Sequence, residues 1–101
     1  MSTKAEIQYQ ITCLGYEKER LESETKAAND YTQHITQKKL EQQAIVYGAY
    51  DQATKDAAEK EYDYYCGILL DLLDKASERL DRMQELRDRE RTLSMQLRLA
   101  R

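Results

Sequence analysis

The chain has no proline, no tryptophan and no phenylalanine, only three glycines, and a single histidine among its 101 residues. Without proline and with so little glycine, an all-β fold lacks the residues that make its turns. Two cysteines, Cys13 and Cys66, are too few for a disulfide scaffold and have no metal-ligand spacing. They are expected to be reduced thiols packed as small apolar residues. Long hydrophobic runs are also absent. Apolar runs such as Ile68-Leu69-Leu70 last a few residues, whereas a membrane-crossing helix needs roughly 20. The first residues, Met1-Ser2-Thr3-Lys4-Ala5-Glu6, form no apolar signal segment, so the protein is expected to be cytoplasmic, or exported without a cleavable signal peptide.

Catalytic machinery is equally scarce. His34 stands alone among Thr32, Gln33 and Gln37, no glutamate lies three residues before it, and no Cys-His or Ser-His constellation can be assembled. Gly-rich phosphate loops and a nucleophile elbow are missing. Neither an enzyme nor a cofactor- or metal-binding protein is expected.

What remains is the composition of long helices. Charged residues make up 35% of the chain and the mean hydropathy is -0.90, the mixture of coiled coils and helical bundles. Eight tyrosines and a dense leucine cluster between Ile68 and Leu99 argue against disorder in the second half. Thr3-Lys4-Ala5-Glu6 fits a capping box that starts a helix, with Thr3 accepting the Glu6 amide and Glu6 reaching back to the Thr3 amide. Ile7, Leu14, Leu21, Ala28 and Ile35 then recur every seven residues, beside a poorer column that includes Ile11, Lys18 and Thr25. In the second half Tyr62, Leu69, Ala76, Met83 and Leu97 form one column, and Tyr65, Leu72, Leu86, Leu93 and Ala100 a second. Arg79 and Glu90 interrupt these columns, while Cys66, Leu73 and Leu80 widen the stripe.

The two stripes are out of phase by one heptad position, and a break between Ile35 and Tyr62 absorbs the slip. Gly48, inside Ile45-Val46-Tyr47-Gly48-Ala49-Tyr50, is the least helical residue there, and Asp51 can cap a new helix. The reading is therefore an all-α, antiparallel two-helix hairpin of coiled-coil type forming a single domain. Its helices are expected over about 3–47 and 52–99, with the turn near Gly48 to Asp51. That register sets Leu93 beside Ile7, Leu86 beside Leu14, Met83 beside Tyr16 and Leu80 near Leu21. A three-helix arrangement with an extra turn near Asn29-Asp30, and one unbroken helix, are the alternatives.

Function follows from the surplus. Ile68, Leu70, Leu73, Met95 and Leu99 flank the columns that one partner helix can cover, and Tyr47, Tyr50 and Tyr64 stand off the stripe. These eight are the candidate partner-binding residues of a non-enzymatic interaction or structural protein that pairs with itself, as a homodimeric four-helix assembly, or with another helical chain. A second possibility lies in the charges. Met1 to Glu78 carries nine Lys and Arg against fifteen Asp and Glu, whereas Arg79 to Arg101 carries seven Arg against four acids. Such a tail can contact nucleic acid through Arg87, Arg89, Arg91, Arg98 and Arg101, although its alternating signs neutralise much of the field.

Val46-Tyr47-Gly48 at the centre of a hairpin of this length resembles the small proteins exported by the type VII secretion route, whose central motif is Trp-x-Gly. Here tryptophan is missing, and no Tyr-x-x-x-Asp/Glu signal follows the second helix. Length and composition are also similar to the small coiled-coil chaperones and stalk proteins of type III secretion. Both resemblances imply a binding or structural component of a secretion system, chaperone-like and without enzymatic activity.

Overall fold

The computed structural model describes residues 3–100. It is all-α and holds two long helices, α1 (Lys4–Val46) and α2 (Gln52–Leu99), arranged as a hairpin. Helix α1 passes through Asn29 and Asp30 without interruption.

Each helix begins on a side-chain cap. Thr3 Oγ1 accepts a hydrogen bond from the Glu6 amide at 3.2 Å, and Asp51 Oδ1 accepts one from the Thr54 amide at 2.8 Å; both satisfy amides that the first helical turn leaves without partners. Helix α1 closes with the Tyr47 amide on the Gln43 carbonyl at 3.1 Å and the tighter Gly48-to-Ile45 bond at 3.2 Å. Gly48 does not use a left-handed backbone. Its role is close approach: a Cβ placed there would sit 2.9 Å from the Ala44 carbonyl oxygen and 2.8 Å from the Tyr50 ring.

The chain divides into two compact units. In the first, Met1–Thr25 with Ser77–Arg101, the core consists of Ile7, Leu21, Leu86 and Leu93, with Leu14, Met83 and Leu97 half-buried. The helices run antiparallel here. Arg89 Nη2 donates to Gln10 Oε1 at 3.4 Å, and Arg82 Nε donates to Glu17 Oε1 at 3.0 Å, so one heptad along α1 matches one heptad back along α2. The polar interruptions of the two stripes meet each other: Lys18 Nζ donates to Glu90 Oε2 at 3.0 Å. Arg79, the other interruption, has a buried Nε without a hydrogen-bond partner.

In the second unit, Lys26–Ala76, only Ile35 and Ala58 are fully buried. Leu69, Leu72, Tyr62, Tyr65, Ile45 and Val46 are half-buried around them.

Two side chains expected inside lie outside. Leu80 is 72% exposed rather than packed near Leu21, and Tyr16 is exposed rather than beside Met83. A pair of helices covers two heptad columns on each, and these residues occupy a third column that a single neighbour does not reach. Cys13 is exposed as well, so the expected packing of both thiols holds only for Cys66, which is half-buried.

Candidate partner-binding surface

In the Lys26–Ala76 unit, α2 presents more apolar surface than α1 covers. Cys66, Leu69, Leu70, Leu73 and Ala76 follow one another at helical spacing and line one side of an open groove of about 580 Å³. Across it, α1 offers Asn29, Thr32 and Lys39. The Thr32 hydroxyl is already spent on its own helix, donating to the Ala28 carbonyl at 2.8 Å. The groove exists because the poor column of α1 falls opposite the rich side of α2.

A second cavity, of about 130 Å³, lies in the same unit and is lined by Gln43, Val46 and Tyr47 from the end of α1 and by Glu59, Tyr62 and Asp63 from α2. Two phenol rings and two carboxylates therefore share one small concavity. The Tyr62 hydroxyl is pushed above the usual phenol range, first by the Cys66 thiol one turn on, then by partial burial and by Tyr47 and Asp63. An alanine-lined groove of about 410 Å³ lies in the same unit, between Gln42 and Ile45 on α1 and Ala53 to Glu61 on α2.

Of the expected contact residues, Leu70 and Leu73 come together in the larger groove, at 65% and 66% exposure. Tyr47, 82% exposed, forms a wall of the smaller cavity. Tyr50 is exposed with its ring against Gly48, and Tyr64 is exposed with its ring centroid 5.6 Å from that of half-buried Tyr65. Ile68 is half-buried rather than exposed. Met95 and Leu99 are exposed but belong to the other unit. Glu59, Tyr62 and Asp63 were not anticipated as a site, although their spacing of three and four residues on one helix face is visible in the sequence. Tyr9 is a further exposed aromatic of α1, its hydroxyl pushed up by the Cys13 thiol beside it.

The Arg-rich segment is partly engaged within the chain. Arg82 is held by Glu17 and Glu85, which push its guanidinium further toward the charged form, and Arg89 reaches Gln10. Arg87, Arg91 and Arg98 are exposed, and Arg101 lies outside the described residues. Among the described residues no group of three or more His, Cys, Asp and Glu side chains is placed to hold a metal ion, and no helix is long and apolar enough to cross a membrane.

Compared with known proteins, the chain matches no protein-family model, no curated protein and no solved structure.

Proposed function

We propose that the protein is a non-enzymatic interaction or structural protein, a helical hairpin that pairs with itself or with another helical chain through the apolar side of α2. The observation that carries this reading is the exposure of Leu70 and Leu73 beside an open apolar groove. Each such leucine left in water forgoes roughly 1.5 to 3 kcal/mol of burial. Among the described residues, six apolar side chains are fully buried, a thin core for a chain that orders two long helices. A partner helix laid along α2 supplies the missing cover, as in helix-in-groove recognition.

Sedimentation equilibrium combined with circular dichroism tests this. The expected result is self-association, or marginal helicity that rises when a partner is added. A stable, folded monomer at micromolar concentration contradicts it.

A further inference from the structure

We infer that the α2 side of the Lys26–Ala76 unit binds a cationic amphipathic helix of a different protein, with aliphatic residues in the leucine groove and a Lys or Arg in the tyrosine-walled cavity. The inference rests on the interaction reading above and names the partner's chemistry.

Charge selects the occupant. Residues 26–76 carry six Lys and no Arg against nine Asp and Glu, a balance of -3. Glu59 and Asp63 face the cavity one helical turn apart, and neither forms an ion pair among the described residues. Like charges four residues apart on a helix repel, and a cation between them removes that repulsion. Tyr47 and Tyr62, lining the same cavity, add ring faces that attract an ammonium or guanidinium group. A cavity of about 130 Å³ has room for one such head group and not for a ring system of drug size.

The apolar part is continuous with the charged part. Tyr62 and Asp63 lie one turn before Cys66 on α2, and Leu69, Leu70 and Leu73 follow within the next two turns. A helix seated along this side meets leucines first and carboxylates about two turns further on. A second copy that sets the same unit against this one is disfavoured as the occupant, because that unit brings the same negative balance.

The test uses the full chain and two synthetic helical peptides. Both carry Leu at i, i+3, i+4 and i+7; two turns beyond, one has Arg and the other Glu. Binding is followed by fluorescence anisotropy and by amide shifts of the labelled chain. The expected result is binding of the Arg peptide about tenfold tighter than the Glu peptide at low salt, with shifts at Tyr62, Asp63, Leu70 and Leu73. The preference is expected to vanish in Glu59→Gln/Asp63→Asn, and binding of both peptides to weaken in Leu70→Gln/Leu73→Gln. All four positions lie on the helix surface, and circular dichroism checks that each variant stays helical. Equal binding of the two peptides at this face overturns the cationic assignment while leaving a helix-binding role intact. Shifts confined to other residues, or a homodimer of the wild-type chain that Leu70→Gln/Leu73→Gln dissociates, overturn it too. Absence of any binding, together with a stable monomer, removes the proposed function as well.

Discussion

Lys18 Nζ lies 3.0 Å from Glu90 Oε2, across the helix pair and within its seam. Each residue breaks an apolar heptad column of its own helix, and the two breaks face each other. The side chains retain 28% and 38% of their exposure, so water screens the pair and its contribution is about 1 kcal/mol or less. Its larger consequence is register: sliding one helix by a heptad sets Lys18 against Met83 or Leu97 and takes Glu90 from its partner. Lys18→Met is expected to destabilise by about 1 kcal/mol because Glu90 loses its partner, and Lys18→Leu/Glu90→Leu to match or exceed wild-type stability. Urea titrations of the single and double variants check this.

The three glycines are expected to respond to alanine with opposite signs. A Cβ at Gly15 or Gly67 meets open space, so Gly15→Ala and Gly67→Ala each gain about 1 kcal/mol from helix propensity. At Gly48 the same methyl collides with the Ala44 carbonyl and the Tyr50 ring. Gly48→Ala is expected to lower the thermal midpoint, and both glycine-to-alanine changes inside the helices to raise it.

Hydrogen bonds from Thr54, its hydroxyl and then its amide, hold the Asp51 carboxyl below its ordinary range. A depressed native value means that the unfolded chain binds this proton more readily. The cap's contribution is therefore complete above the ordinary carboxylate pKa of about 4 and is lost as pH falls through the lower native value. Thermal melts from neutral pH to about pH 2 are expected to show Asp51→Asn, which keeps the acceptor, losing less stability on acidification than wild type. Asp51→Ala is expected to be weaker than both at neutral pH.

The Arg79 Nε is buried without a hydrogen-bond partner in a column otherwise filled by Leu72, Leu86 and Leu93. Arg79→Met keeps the length of the stem and removes the unpaired donor. It is expected to stabilise by about 1 kcal/mol, read as a higher urea midpoint at unchanged slope.

Much of the fold was legible because helical caps and heptad columns are local signals. Thr3 and Asp51 are short acceptors placed before apolar-periodic runs, and both cap as their chemistry requires. The columns through Ile7 and Leu93 identified the buried edge of each helix correctly. Leu80 was misplaced, since it widens the apolar stripe in sequence and becomes surface once only one neighbouring helix is present. The Lys18–Glu90 contact was not legible, because the register that sets Leu93 beside Ile7 leaves the two about eight positions, roughly 12 Å, apart. The small tyrosine and carboxylate cavity was not legible either, because it joins Tyr47, at the end of one helix, to Glu59 and Asp63 on the next, and spacing within one helix does not reveal such a meeting.

Helix α2 exposes an apolar side around Leu70 and Leu73, and on the proposed function a partner helix covers it. Analytical ultracentrifugation of the purified chain at micromolar concentration, with a urea titration of the same sample, tests it most directly. Self-association is expected, or a monomer whose unfolding is shallow and worth only a few kcal/mol. A single 11.9 kDa species that unfolds cooperatively with more than about 5 kcal/mol of stability contradicts it.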